Sequence, residues 1–207
     1  MKKFFGFLKS LFKKGGVSGG GVPIQTPVVD TKPPVVDGAI TIEIIRNLVV
    51  GELLQHVGAK EKGTNTDKGG IIDTIILSMG GKLGWAWCAA TVCYCARNTC
   101  NKLGISYPKG LYKGFSSQAL WHETSAKYIL NKPKRGCAFV HTNPGDKAHG
   151  HTGLCLEEAD SKGTFDTVEG NSNNMIQQRA DRSISYAPVF VDVAQAIFDQ
   201  YQSEKSK

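Results

Sequence analysis

The spacing of apolar residues changes period partway along this 207-residue chain, and that change constrains the fold more than any other feature. From residue 41, Ile42, Ile45, Leu48, Val49, Leu53 and Val57 recur at three- and four-residue intervals, which predicts a helix over 41–56 with Thr41 in its cap region. Ile71, Ile72, Ile75, Ile76 and Met79 repeat the pattern over 70–79, and a third apolar helix is predicted over 88–103. Beyond it, residues 137–141, 151–157, 164–170 and 183–191 read as short strands separated by turn residues, and 192–202 as a closing helix. Helices followed by a meander of strands predict an α+β domain, with N-terminal helices packed on an antiparallel β-sheet.

Ahead of this domain, assigned to residues 39–207, lie two segments of different character. Residues 15–38 hold G-G-V-S-G-G-G and a doubled P-V-V-D, the composition of a linker that is flexible and then extended. Residues 1–14 read as a basic amphipathic helix. Phe4, Phe5, Phe7, Leu8, Leu11 and Phe12 share an arc of roughly 160°, and Lys2, Lys3, Lys9, Lys13 and Lys14 take the opposite side. Such a helix suits an anionic membrane surface, or docking on the protein's own body or a partner. Those five lysines account for most of the net charge of +7, so the body is near neutral and a broad nucleic-acid-binding face is not expected. No apolar run approaches the roughly 18–20 residues of a membrane-spanning helix, and Lys9 interrupts what would be a signal-peptide core. A monomer is expected.

Six cysteines stand at 88, 93, 95, 100, 137 and 155. Three crowd into the third predicted helix, and no secretion signal is read, so reduced thiols are expected. A C-x-C-x4-C run in one helix cannot aim three thiols at one metal, so zinc is not expected. Cys88 stands apart, where G-K-L-G-W-A-W meets the start of that helix. There the helix dipole and free N–H groups favour a thiolate nucleophile, although a buried helix-capping cysteine would read the same way. His151, between glycines in H-G-H-T-G, is placed to open a strand with room beside it. Glu169 and Asn171 end the following strand, and a hairpin between the two strands would bring them to His151. Two residues apart on one strand, both side chains are expected on one face. A thiol, an imidazole and an orienting carboxylate or amide make a cysteine-hydrolase triad. The bland alternative leaves Glu169 as an exposed strand-end acid and Asn171 as a turn former.

At this point the sequence resembles a known family, the cysteine- and histidine-dependent amidohydrolases/peptidases (CHAP), over about residues 42–190. The carriers are G-A-K-E-K-G-T-N at 58–65, W-C-A-A-T-V at 87–92, P-K-R-G-C-A-F-V at 133–140, G-H-T-G-L at 150–154 and V-E-G-N-S-N at 168–173. The resemblance implies a papain-like fold and a phage endolysin-like enzyme. Its substrate would be cell-wall peptidoglycan, cut at a stem or cross-bridge amide bond through an acyl-enzyme, without a cofactor. Cys88 would be nucleophile, His151 base, and Glu169 with Asn171 the orienting pair. Trp85 and Trp87 would line the substrate groove or pack the wall. Such a lysin would work from the host cytoplasm before lysis or be carried in a virion. Cys137 departs from the family's usual aspartate, which puts the stability of its turn in question. Asp67 and Asp73 are the only aspartates between residue 39 and the nucleophile, where calcium-binding members have a dense acidic loop, so calcium is not expected. Arg179, Arg182, Lys60, Lys62 and Lys68 read as a solvated face or as contacts to an anionic wall polymer. The competing reading is a non-catalytic virion or interaction module, docked through its N-terminal helix. A further variant would orient His151 with a second histidine.

Overall fold

The computed structural model describes residues 39–143 and 146–205; the expected helix at 1–14 and linker at 15–38 lie outside the described residues. Three helices lead. In α1 (Ile42–Leu54) the Thr41 hydroxyl accepts the Ile44 N–H, and Ile45, Val49, Val50 and Leu53 are buried. Helix α2 (Ile71–Ser78) is started by two acids. Asp67 accepts the N–H groups of Gly70, Ile72 and Asp73, and Asp73 accepts those of Asp67 and Gly69. Their charges therefore satisfy otherwise unpaired amides at a helix N-terminus. Helix α3 (Cys88–Leu103) stops at Gly104, whose φ of 62° is left-handed.

A short helix α4 (Ser117–His122) follows, with the Ser116 hydroxyl accepting from Ala119. The chain then enters a six-stranded antiparallel sheet in the order β1-β6-β2-β3-β4-β5. Its strands are β1 (Ile129–Leu130), β2 (Ala138–Asn143), β3 (Asp146–Cys155), β4 (Thr164–Ser172), β5 (Met175–Ser183) and β6 (Val189–Val191), and α5 (Val193–Lys205) closes the chain. Alternation along the strands divides the core. Val140, Leu154, Val168 and Val191 join the helices' Ile45, Val49, Ile72 and Ile75, whereas Phe139, Cys155, Phe165 and Phe190 form a second cluster. A buried ion pair ties α1 to the start of α5, with Arg46 donating to both oxygens of Asp192 at 3.1 Å each. No helix of the described residues is long and apolar enough to cross a membrane.

The α+β class and the three leading helices agree with the sequence reading, but the strand assignments need correction. Residues 184–186 form a 3-10 turn that breaks the expected strand at 183–191: Ser183 ends β5, and 189–191 form β6. Strand β5 lies at one edge of the sheet and reads as polar because it is half-exposed, with Ile176 buried. It is reached through a two-residue turn at Asn173 and Asn174, both with positive φ (53° and 60°), as a type I′ hairpin requires. Strand β3 begins at residue 146, so His151 lies inside a strand, paired with His141.

Candidate active site

Cys88 is the first residue of α3, and what holds that helix end is Trp87. Its indole N–H donates to Glu61 Oε1 at 2.9 Å, and Glu61 Oε2 accepts the Asn65 N–H at 2.9 Å. The helix lies directly on β4. A Cβ on Gly170 would meet the Trp87 ring at 2.8 Å and collide with the Thr91 hydroxyl. Glycine is therefore what permits the approach. Trp87 is 0% exposed, so it does not line a groove as the sequence reading allowed; it is the wall beneath Cys88. Trp85 remains 46% exposed, edge-on to Phe115 with ring centroids 5.1 Å apart. Cys88 itself is 7% exposed.

His151 projects from β3 beside the Phe139 ring. Its Nε2 lies 2.9 Å from Glu169 Oε2. Gly153 makes this approach feasible, because a Cβ there would stand 2.7 Å from Glu169 Cγ and 3.0 Å from the Val168 carbonyl. An ionised carboxylate only accepts, so Nε2 carries a proton, and Cys88 stands close enough to the ring to raise the imidazole as well. Glu169 takes the orienting place. The His141 ring nitrogens instead meet the Tyr186 carbonyl at 2.6 Å and Asn143 Oδ1 at 3.1 Å.

Glu169 is 0% exposed, not a solvated strand-end acid. It accepts from His151, from the Thr167 hydroxyl at 2.6 Å, and from Arg182 Nε and Nη2 at 2.8 Å each. Burial alone would push its carboxyl toward the neutral form, but these donors hold it well below the usual carboxylate range. Burial likewise disfavours charge on His151, yet Cys88 and Glu169 push the imidazole up to about 9. At neutral pH the site is therefore a buried carboxylate, an imidazolium and the sulfur it faces.

Asn171 is a correction. Its φ of 56° is left-handed and the register breaks between Glu169 and Ser172, so the strict alternation that would pair its side chain with Glu169 does not hold. Among the described residues no hydrogen bond joins it to His151. Arg182, read as part of a solvated face or as a contact to an anionic wall polymer, instead grips Glu169. Its guanidinium lies 4.4 Å from the Tyr186 ring, which is stacked on His141 at 3.9 Å. No local signal could have found it, because β5 was not legible as a strand.

The remaining cysteines are ordinary core residues. Burial pushes the thiols of Cys93 up to about 11 and of Cys100 and Cys137 up to about 12, and those of Cys95 and Cys155 also rise well above their usual range. The six cysteines are unpaired. The turn ending at Cys137 forms without an aspartate, closed by the Cys137 N–H to the Lys134 carbonyl at 3.0 Å with Gly136 at φ 78°. Among the described residues no three His, Cys, Asp or Glu side chains converge to hold a metal ion.

No family model, curated protein or solved structure matches the chain.

Proposed function

We propose that this chain is a cysteine amidohydrolase of papain-like design that cleaves an amide bond in the peptide part of peptidoglycan. One observation carries the reading: the His151 imidazole is bonded through Nε2 to the buried carboxylate of Glu169 and lies beside Cys88, the first residue of a 16-residue helix. An imidazole held in that way both orients and stores a proton. The Cys88 sulfur attacks the carbonyl carbon, forming the C–S bond. The oxyanion develops beside the free N–H groups of the α3 N-terminus. The imidazolium gives its proton to the leaving nitrogen and the C–N bond breaks. Neutral His151 then takes a proton from water, which attacks the thioester, and the C–S bond breaks to regenerate the thiolate–imidazolium pair.

The substrate class rests on the resemblance of W-C-A-A, G-H-T-G and V-E-G-N to the CHAP motifs. Exposed Trp85, three residues before the nucleophile, offers an apolar wall for the glycopeptide. On this reading the protein is a lysin, made in a host cytoplasm or carried in a virion. The test is mass spectrometry of fragments released from purified cell walls, with Cys88→Ala as control. New amide-cleavage products from wild type alone support the reading and name the bond. Intact walls, from protein whose Cys88 reacts readily with iodoacetamide, would leave the triad standing and remove peptidoglycan as its substrate.

A further inference from the structure

We propose that Arg182 is a positioning residue of this site, fixing the orientation of Glu169 and keeping it ionised at mildly acidic pH so that Cys88 stays reactive there. The inference rests on the Cys88–His151–Glu169 reading above and adds a group that it does not contain.

The geometry is a fork on a fork. Arg182 Nε and Nη2 each donate at 2.8 Å to a different oxygen of Glu169. Each oxygen also has a second donor, Thr167 on Oε1 and His151 on Oε2, so the carboxylate cannot rotate without losing bonds. The electrostatics require a permanent cation. A carboxylate with no exposure takes up a proton unless it is paired. His151 is a cation at mildly acidic pH, but it reaches only Oε2 and shares its charge with Cys88, whereas Arg182 bonds both oxygens. A guanidinium is charged at every pH of interest.

The backbone aims Arg182 for this role. The residue before it, Asp181, has a φ of 56°, and the β4–β5 register shifts between Phe165 and Thr167. Such bulges re-aim side chains. The Asp181 N–H is caught by Asp166 Oδ1 at 3.1 Å, which holds the kink. The guanidinium then rests on the Tyr186 ring at 4.4 Å and near Phe139 at 5.9 Å. The other titratable groups around Glu169 are Cys155, a buried neutral thiol of β3, Tyr186, and Cys88, reached through His151. Arg179 of β5 and His141 of β2 sit next to Tyr186. None of these bonds the carboxylate.

The test needs no substrate. The rate of Cys88 alkylation by iodoacetamide is followed from pH 4 to 10, by mass spectrometry of the Cys88 peptide, in wild type, Arg182→Gln, Arg182→Lys and Tyr186→Leu. Arg182→Gln should move the acid limb up by about one pH unit, with a rate about tenfold lower at pH 5 and little changed at pH 8. Arg182→Lys keeps the charge but not the fork and should fall between. Tyr186→Leu removes the platform and should move the limb in the same direction by less. If Arg182→Gln does not fold, these two variants decide. A limb superimposable on wild type, whatever the change in melting temperature, overturns the role of Arg182 and leaves the triad intact. A wild-type Cys88 that reacts only as an ordinary thiol, with no reactivity below pH 8, overturns the triad and this inference together.

Discussion

Replacing Glu169 by Gln tests the site at its least replaceable contact. The volume stays and one carbonyl acceptor remains, but the amide must point its N–H2 at a donor: Arg182 and Thr167 on one side, Arg182 and His151 on the other. The charge that supports the imidazolium is also lost. The imidazole sits at about 9 rather than 6.5, which at 1.36 kcal/mol per pH unit is roughly 3 kcal/mol in favour of the protonated ring. Burial opposes that preference, and Cys88 and Glu169 share in producing it. Loss of the Glu169 charge should therefore remove about 1.5–2 kcal/mol, or about ten- to thirtyfold in kcat/KM. The sign with pH follows. Wild-type activity needs the proton on His151 and falls as pH rises through about 9; in Glu169→Gln that limb should move down toward 6.5. The assay is a pH–rate profile of hydrolysis of a defined muropeptide, with iodoacetamide alkylation of Cys88 in parallel. Asn171→Gly, which keeps the left-handed backbone at that position, should cost less than Glu169→Gln by about tenfold. If Glu169→Gln retains both rate and profile, Glu169 does not act on His151 and the triad reading is refuted.

Cys88→Ala should abolish hydrolysis with the fold retained, whereas Cys93→Ala and Cys100→Ala, which remove buried thiols away from the imidazole, should retain activity at about 1 kcal/mol of stability each; turnover and thermal melting separate the two outcomes. Gly170→Ala should lift the N-terminus of α3 from β4 through contact with Thr91 and Trp87, and reduce kcat at least tenfold while denaturation shows a folded protein; unchanged kcat would mean that the helix end tolerates displacement. Arg46→Met leaves the Asp192 carboxylate buried without its cation and should cost about 3–5 kcal/mol by urea denaturation. The double change Arg46→Met with Asp192→Leu should cost less, though not nothing, because Asp192 also accepts the Gln195 N–H at the start of α5.

What the chain determined by itself is local. Thr41 before an apolar run, a cysteine at the opening of a helix, and glycines around His151 are all read within a few residues, because helix spacing and caps are short-range physics. The approach of His151 to Glu169 was also legible, since two neighbouring strands with a short connection pair as a hairpin. The tertiary structure alone decided which of two tryptophans, two residues apart, would be buried. Glu61, 26 residues away, offers Trp87 an acceptor, and Gly170 gives its ring room against β4, while Trp85 meets Phe115 edge-on and remains half exposed. It also decided against Asn171, since alternation holds only for an extended backbone and Asn171 lies at φ 56°. Arg182 follows the same rule. A polar strand has no apolar period to announce it, and nothing in Q-Q-R-A-D-R-S distinguishes Arg182, which bonds Glu169, from Arg179, which does not. The choice was made by the bulge before it and by a carboxylate that, with no water to solvate it, is stable only where a cation is brought across the sheet to meet it.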